Sequence, residues 1–293
     1  MSNLINPFAP FDPSLQAALV ANVELALAED VGSGDLTGLL VPQDEVMRAR
    51  VIVRENAVLC GAPWFDAVMT QLHPRAQVEW TYAEGDMMRA DSEVCRIEAP
   101  ARALLTAERS ALNFLQLLSA VATATRGYVN LIAGTKAAIL DTRKTLPGLR
   151  LAQKYAVRVG GGSNQRLALY DGVLIKENHI AAAGGIRAAM ERAHALRAGV
   201  SIQIEVESID QLKEALAAGA RSVLLDNFSL DMMRAAVALT AGAAVLEASG
   251  GVNLESVRGI AETGVDRISI GSLTKDIRAT DFSLRIVGTA ASS

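Results

Sequence analysis

The sequence predicts an α/β protein in which an antiparallel α+β unit is followed by an incomplete (β/α) barrel. From residue 137 onward, short apolar runs alternate with amphipathic helices, as in parallel strands joined by right-handed crossovers. Before residue 101, strand-like runs follow one another without long helices, which favours antiparallel pairing. Polar residues close nearly every strand of the second part, and barrels build their sites from many strand ends. A doubly wound parallel sheet is the competing fold.

In the first part, a helix is predicted over residues 15–28, because Leu15, Leu19, Val23 and Leu27 share one face. Strands are predicted at 49–53, 58–60, 78–82 and 93–98, with a short helix at 64–72. A long helix over 101–120, followed by 121–133, carries Arg109 and closes the first domain.

The second part contains six predicted strands, fewer than the eight of a complete barrel. They cover 137–141, 173–176, 202–206, 223–226, 244–248 and 267–270. Helices are predicted at 185–196, 209–218, 230–239 and 254–262. The predicted barrel is therefore open.

Composition and charge exclude several classes of protein. The 293 residues are 51% hydrophobic with a formal charge of −4, which is typical of a globular chain and argues against a general nucleic-acid or membrane-surface binder. No long uncharged apolar run predicts a membrane span, and we expect no signal peptide at the start. The cysteines, Cys60 and Cys95, form no CxxC pattern, so we expect reduced core residues in a cytoplasmic protein.

Four cationic side chains lie where strands and a glycine-rich loop end. Arg143 and Lys144 follow one strand, Lys176 follows the next, and Arg166 comes shortly after a run of three glycines. An isolated Arg-Lys pair is usually a solvated loop, but four cations at one edge would repel each other without an anion between them. Arginine favours planar carboxylates, and lysine adds a point charge.

Two carboxylates, Glu205 and Asp226, end successive strands. A carboxylate in a buried strand is costly unless it is paired or binds a metal, so the pair indicates hydroxyl recognition or Mg²⁺ ligation. Structural ion pairs to Lys176 or Arg143 are the alternative. Glu207 lies on the same strand face as Glu205, and the sequence barely separates the two acids.

Glycine-rich turns follow the last two strands, where barrels often hold a phosphate with backbone N–H groups. These turns contain Ser249, Gly250, Gly251, Gly271 and Ser272. The three histidines are too few and scattered for a His-rich metal site. We interpret His179 as structural rather than as a general base.

These motifs together closely resemble the quinolinate phosphoribosyltransferase family over nearly the whole chain. The segments that carry the resemblance are EDVGSGDLT at 29–37, TAERSALNFLQLLS at 106–119, DTRKTLPGLRLAQKYAV at 141–157, GGG at 160–162, LYDGVLIKENHI at 169–180, EVES at 205–208, LLDNF at 224–228, EASGGV at 247–252 and ISIGSLT at 268–274.

The resemblance implies an N-terminal α/β sandwich over 1–118, to which 280–293 returns, and an incomplete barrel of phosphoribosyltransferase type II over 119–279. It implies a homodimer with shared active sites, leaves a higher oligomer open, and gives no nucleic-acid or membrane partner. The implied reaction condenses quinolinate with phosphoribosyl pyrophosphate, with Mg²⁺, to give nicotinate mononucleotide, pyrophosphate and CO₂ in de novo NAD synthesis.

The resemblance also implies roles for individual residues. The implied quinolinate contacts are Arg143, Lys144, Gln165, Arg166 and Lys176, with Arg109 from the neighbouring subunit. The implied catalytic residues are Lys144, Lys176, Glu205 and Asp226. Glu205 and Asp226 would bind ribose hydroxyls and Mg²⁺, and the glycine-rich turns with Ser249, Gly250, Gly251, Gly271 and Ser272 would hold the 5′-phosphate.

The chain departs from the family at Gln165, where the family usually has histidine between asparagine and arginine. Glutamine can hydrogen-bond but cannot become cationic, so we expect activity with weaker quinolinate binding. The alternatives are a pyrophosphorylase-like paralogue with another acceptor, a Schiff-base aldolase on Lys176, and a phosphosugar-binding protein that has lost turnover. The intact LIKENH segment argues against the paralogue.

Overall fold

The structure, a computed structural model, describes residues 2–42 and 45–289. Its strands are β1 Val46–Val53, β2 Ala57–Val58, β3 Gln77–Trp80, β4 Met87–Met88, β5 Glu93–Pro100, β6 Ala138–Leu140, β7 Gly172–Ile175, β8 Ser201–Val206, β9 Ser222–Asp226, β10 Val245–Ser249, β11 Arg267–Ser269 and β12 Phe282–Thr289. Its α-helices are α1 Pro13–Asp30, α2 Ala62–Leu72, α3 Ala101–Leu131, α4 Arg150–Val159, α5 Glu177–Ala183, α6 Ile186–Ala195, α7 Ile209–Ala217, α8 Leu230–Thr240, α9 Val257–Glu262 and α10 Ser272–Lys275.

The chain divides into two units that are not continuous in sequence. Unit 1 is drawn from Met1–Ala124, Leu146–Gly160 and Asp276–Ser293, and unit 2 is Thr125–Thr145 with Gly161–Lys275. The ranges predicted from the sequence differ from these units in one main respect, since they place α4 with the barrel. Those ranges stay a prediction.

Unit 1 is built on an antiparallel sheet with the strand order β12-β1-β5-β3. Apolar residues of β1 alternate with arginines, and Ala49, Val51 and Val53 are buried in the core. The edge strand β12 comes from the far end of the chain and pairs with β1 from Val53↔Phe282 onward. The sequence analysis did not predict β12 as a strand, because its apolar residues do not alternate: the adjacent Ile286 and Val287 are both exposed.

Aromatic packing explains why α4 belongs to unit 1. Tyr155 of α4 is buried, and its ring centroid lies 5.4 Å from Trp64 of α2 and 5.1 Å from Phe11. Such pairs add to the free energy of burying the rings. Cys60 and Cys95 are buried free thiols in the same core, as predicted.

Unit 2 is built on a parallel sheet of six strands in the order β6-β11-β10-β9-β8-β7. The strands β7 to β11 are neighbours in chain order, and β6 then pairs with β11 at the far edge. This cyclic order is that of a barrel open between β6 and β7, where a doubly wound sheet would reverse direction at a switch point. The predicted fold class, an α/β protein with an antiparallel first sheet and a parallel second sheet, is confirmed.

The strands of unit 2 place opposite chemistry on their two faces. Ile204 and Val206 of β8 pack in the core that includes Leu212 of α7, whereas Gln203 and Glu205 alternate onto the other face. The face turned away from the helices is therefore partly polar. This arrangement carries the site residues.

The predicted helical stretches over 101–120 and 121–133 form one continuous helix, α3. Within the described part of the chain, no helix is both long and apolar enough to cross a membrane.

Candidate active site at the strand ends of unit 2

The predicted residues of unit 2 follow or end its parallel strands. Lys176 follows β7, Asp226 ends β9 and Ser249 ends β10, while Glu205 is one residue from the end of β8. The register pairs Asp226 with Ser249, and Gly271 follows β11 by two residues. Because the strands are parallel, these residues lie along the same sheet edge.

Lys176 and Glu205 form an ion pair between neighbouring strands. Their Nζ and Oε2 atoms are 3.3 Å apart, and the Glu205 side chain is 11% exposed. Burial raises the pKa of Glu205, Lys176 opposes that rise, and Asp226 and Glu177 add to it. The carboxylates of Glu205 and Asp226 are thus close enough to repel each other, and a cation would relieve that repulsion.

The structure separates Glu205 from Glu207. The Glu207 side chain is exposed, and its backbone N–H donates to Gln211 Oε1 at 2.7 Å. Both acids line a cavity of about 150 Å³ beside α5, but Glu205 is the one paired with Lys176. The alternative of a structural ion pair to Lys176 is therefore part of the observed geometry.

The two carboxylates fit Mg²⁺ better than a metal with a protein-only ligand set. No group of three or more His, Cys, Asp or Glu side chains able to hold a metal occurs among residues 2–42 and 45–289. Mg²⁺ commonly binds through one or two carboxylates together with substrate phosphates and water. Glu205 and Asp226 supply such a partial set.

The turn after β10 needs glycine for a steric reason. A Cβ on Gly250 would collide with Asn227 Oδ1, and Gly250 has φ +103°. Asn227 donates from its backbone N–H to the Ser249 carbonyl at 3.0 Å and from Nδ2 to Asp226 Oδ2 at 2.9 Å. Asn227 thus joins the predicted phosphate turn to Asp226. Sequence reasoning did not single out this asparagine.

Lys144 lies over the turn after β11. A Cβ on Gly271 would be 3.0 Å from Lys144 Cδ and 3.7 Å from Lys144 Nζ. Thr274 Oγ1 donates to the Lys144 carbonyl at 2.8 Å and fixes the backbone there. The structure therefore brings a predicted cation to the Gly271–Ser272 turn.

Arg143 and Arg166 form the cationic side of the site. Burial lowers the pKa of Arg166, and the neighbouring Arg143 lowers it further, while Asp171 opposes both effects. Arg166 Nη1 donates to the Gly172 carbonyl at 3.1 Å. The Nε of Arg143 is buried and donates to no acceptor among the described residues. Two close guanidinium groups, one with an unused buried donor, favour a bound anion.

The loop that contains Gln165 forms hydrogen bonds with buried polar residues. Asp141 is fully buried and accepts from Asn164 Nδ2 at 2.6 Å and from the Gln165 N–H at 2.9 Å. Gln165 Nε2 donates to Gln203 Oε1 at 3.0 Å, and Gln203 Nε2 donates to Glu247 Oε2 at 2.9 Å. Sequence reasoning missed the roles of Gln203 and Glu247. The only signal was a charged or amide residue inside an apolar strand.

Two further candidates lie apart from this cluster. His179 Nδ1 accepts from the Lys176 N–H at 3.0 Å, a contact that orders the start of α5 and fits a structural histidine. Arg109 lies in unit 1, on an exposed position of α3. It is not among the strand-end residues of unit 2.

Comparison with known proteins relates the chain to one family. Residues 35–119 match the N-terminal domain of quinolinate phosphoribosyl transferase, and residues 121–285 match its C-terminal domain. The "Probable nicotinate-nucleotide pyrophosphorylase (carboxylating)" of Bacillus subtilis (strain 168) is 40% identical over 259 residues, which cover 88% of this chain and 90% of that protein. The "Nicotinate-nucleotide pyrophosphorylase (carboxylating)" of Mycobacterium leprae (strain TN) is 39% identical, covering 89% of this chain and 95% of that protein.

Solved structures show the same likeness. The structure of the nicotinate-nucleotide pyrophosphorylase from Francisella tularensis superposes with a TM-score of 0.89 at 44% identity, covering 92% of this chain and 96% of that chain. The corresponding structure from Ehrlichia chaffeensis has a TM-score of 0.88 at 39% identity, covering 95% of this chain and 100% of that chain.

Proposed function

Because the chain belongs to the quinolinate phosphoribosyltransferase family, we propose that its strand-end site carries out this family's reaction through the residues described above. The chain is a nicotinate-nucleotide diphosphorylase (carboxylating), an enzyme of de novo NAD synthesis. It transfers the phosphoribosyl group of phosphoribosyl pyrophosphate to quinolinate. Pyrophosphate and CO₂ leave, and nicotinate mononucleotide is formed.

The observation that carries the assignment of residues is the pairing of like charges at one sheet edge. Arg143 lies close enough to Arg166 for its charge to lower the pKa of Arg166. Quinolinate has two adjacent carboxylates, so it supplies the anionic charge that such a cluster lacks. We assign its binding to Arg143, Lys144, Gln165, Arg166 and Lys176.

The carboxylate side of the site would hold the ribose. Glu205 and Asp226 accept hydrogen bonds from the ribose hydroxyls, and their charge stabilises the oxocarbenium-like carbon that forms as pyrophosphate leaves. Mg²⁺, when bound to these carboxylates and the pyrophosphate, would neutralise charge on the leaving group. Lys176 limits the repulsion between the two acids before substrate binds.

The glycine turns would hold the 5′-phosphate. Gly250 and Gly271 allow backbone to approach where a side chain would collide, and Lys144 lies beside the second turn. Ser249, Gly251 and Ser272 complete the two turns. Backbone N–H groups in such turns bind phosphate oxygens without needing a side chain.

Loss of CO₂ follows from the new bond to the ring nitrogen. That bond makes the nitrogen cationic, so the ring can accept the electron pair that the departing carboxylate leaves behind. The residues of this chain need only hold the ring in place while that carboxylate leaves as CO₂. The proton that replaces it on the ring carbon comes from solvent or from a protonated side chain of the cationic cluster.

The assembly and the cellular compartment belong to the same proposal. From the family resemblance we infer a homodimer in which Arg109 contributes to the site of the partner subunit. The exposed position of Arg109 on unit 1, at no strand end, is consistent with this role. We also infer a cytoplasmic enzyme, supported by two buried cysteines that remain free thiols.

The function is tested with purified protein, quinolinate, phosphoribosyl pyrophosphate and Mg²⁺. We expect nicotinate mononucleotide, pyrophosphate and CO₂ in equal amounts, and no turnover after chelation of the metal. Nicotinate should not replace quinolinate, because one carboxylate cannot satisfy the cationic cluster. Absence of product with quinolinate would contradict the function, and equal kcat/KM for the two acids would contradict the assignment of the cations.

A further inference from the structure

Glu247 is a buried acid to which the proposed mechanism gives no task. It lies in the middle of β10 and is 0% exposed. Its neighbours Leu246 and Ala248 belong to the apolar core of unit 2, so Glu247 faces away from the helices. Burying an acid in this position has a large desolvation cost, and a specific role would explain its presence.

Glu247 is connected to the strand-end site by two amide side chains. Its Oε2 accepts from Gln203 Nε2 at 2.9 Å, and Gln203 Oε1 accepts from Gln165 Nε2 at 3.0 Å. The Oε1 of Glu247 accepts no hydrogen bond from any of the described residues. Gln203 is 7% exposed, so solvent has little access to the middle of this relay. The relay is defined here as Glu247, Gln203 and Gln165.

The acid end fixes the direction of the whole relay. An ionised carboxylate only accepts hydrogen bonds, so Gln203 must turn its NH₂ toward Glu247 and its carbonyl toward Gln165. Gln165 must then turn its own NH₂ toward Gln203. Rotation of either amide by half a turn would bring two donors or two acceptors together.

A second buried acid fixes the backbone at the far end. Asp141 accepts from the Gln165 N–H at 2.9 Å. The backbone N–H of Gln165 is thus bonded directly to an acid, whereas its side-chain amide is bonded to Gln203, which in turn contacts Glu247. The bond to Gln203 uses one N–H of the Gln165 amide and sets which end of the amide faces Gln203.

The groups around Glu247 shift its pKa in both directions. Burial raises the pKa of Glu247, and Asp141 adds to that rise. The bond from Gln203, the hydroxyl of Ser269 and the charge of Arg267 act in the opposite direction. Arg267 and Ser269 come from β11, Gln203 comes from β8, and Asp141 follows β6.

We propose that Glu247 is a positioning residue for the acceptor acid, which acts through Gln203 to set the orientation of the Gln165 amide at the site. The inference rests on the proposed function, because it takes Gln165 to contact quinolinate. The proposal also explains how glutamine at position 165 can contact quinolinate where the family usually has histidine. A side-chain amide has a donor NH₂ group and an acceptor carbonyl, so a neighbouring group must set which of them faces the site. Glu247 is that group.

The test is a double-mutant cycle between Glu247→Gln and Gln165→Ala. Glutamine at 247 can present either a donor or an acceptor to Gln203, so the relay loses its fixed direction. We expect each single change to raise KM for quinolinate about 3- to 10-fold, the range of a neutral hydrogen bond. The KM for phosphoribosyl pyrophosphate and kcat at saturation should change less than about twofold. The double variant should match Gln165→Ala alone.

One further variant and a control test the relay without changing Glu247, in case Glu247→Gln folds poorly. Gln203→Met breaks the relay while leaving Glu247 in place, and it should reproduce the same rise in KM for quinolinate. Glu191→Gln, at an exposed position of α6, is the matched control and should change nothing.

The possible results distinguish a failure of the proposed positioning role from a failure of the proposed function. Multiplicative effects in the double variant, or equal losses for both substrates together with a lower Tm, would show a purely structural role for Glu247. A wild-type protein that makes no nicotinate mononucleotide would overturn the function, and the inference with it. An active wild type with uncoupled variants would overturn the inference alone.

Discussion

Arg143 and Gln165 are both assigned to the proposed quinolinate site, but their chemistry differs. Arg143 has a charged guanidinium with a buried Nε, whereas Gln165 has a neutral side-chain amide bonded to Gln203 and a backbone N–H bonded to Asp141. A charged donor left without its partner in a buried site costs more free energy than a neutral one. The two residues should therefore differ in their contribution to transition-state binding.

We expect Arg143→Ala to lower kcat/KM for quinolinate by about 2–5 kcal/mol, and Gln165→Ala to lower it by about 0.5–1.5 kcal/mol. The measurement is steady-state kinetics at saturating phosphoribosyl pyrophosphate. Arg187→Ala, which removes an exposed arginine of α6, serves as the control for loss of charge alone. A larger loss from Gln165→Ala would reverse the ranking.

The turn after β10 connects a single residue to the end of an element. Gly250 and Gly251 both have positive φ, at +103° and +58°, but only Gly250 lies against a neighbour. A side chain at Gly250 would collide with Asn227, which ties β9 to β10. The two adjacent glycines therefore form a matched pair for experiment.

Gly250→Ala should destabilise the protein by more than about 2 kcal/mol, because strain in the backbone and the collision with Asn227 add together. Gly251→Ala meets open space, so only the backbone strain remains, about 1 kcal/mol. Urea denaturation of both variants measures the difference. Equal losses would mean that Asn227 moves aside freely.

At the scale of elements, Glu84 joins α2 and α4 in the core of unit 1. This buried carboxylate accepts from the N–H groups of Gly61 and Ala62, at 2.8 and 3.2 Å, and from Tyr155 Oη at 2.9 Å. It thereby satisfies N–H groups at the start of α2 that have no partner within the helix. Burial raises its pKa to about 7, although these hydrogen bonds act in the opposite direction.

The raised pKa gives a stability that depends on pH. The pKa of Glu84 is about 7 in the folded chain, against a usual value of 4.5, so the folded state holds a proton that the unfolded state has released. The contribution is fully present below pH 4.5 and is lost as pH rises through 7. Its size is on the order of 3 kcal/mol.

Glu84→Gln should remove this dependence. The free energy of unfolding of the variant, relative to wild type, should rise between pH 4.5 and 7. Urea midpoints at several pH values measure it, with Glu79→Gln at an exposed position of β3 as the control. A constant difference across that range would show that Glu84 stays ionised in the folded protein.

In the proposed homodimer, each active site contains residues from both subunits. If Arg109 serves the partner subunit, mixing an Arg109→Ala chain with an Arg143→Ala chain gives heterodimers with one doubly defective site and one intact site. Activity should rise above that of either homodimer, toward half the wild-type value when every dimer is mixed. Verified subunit exchange with no gain would place Arg109 in its own subunit's site.

A mixture of Arg143→Ala and Arg166→Ala chains is the matched control. Both residues lie in unit 2 of the same chain, so every site in the heterodimer keeps one defect. No gain is expected from this pair. A gain would show that the two arginines belong to different sites, against the proximity of their charges.

Local features of this protein follow from short stretches of its amino-acid sequence. Short apolar runs separated by stretches of helical spacing located all six strands of unit 2, because both patterns depend on a few adjacent residues. The positions of Lys176, Glu205 and Asp226 near strand ends also followed, because parallel strands end at one edge. The matching motifs identified the family, as the comparisons confirmed.

Contacts between residues far apart in the chain are set by the packed fold. The pairing of β12 with β1, the packing of α4 in unit 1, the choice of Glu205 over Glu207 for Lys176, and the relay from Glu247 to Gln165 depend on contacts between residues far apart in the chain. Local periodicity shows that a strand will bury one face but not which strand will pair with it. A hydrogen bond also depends on distance and angle, which are set only when the whole core has packed.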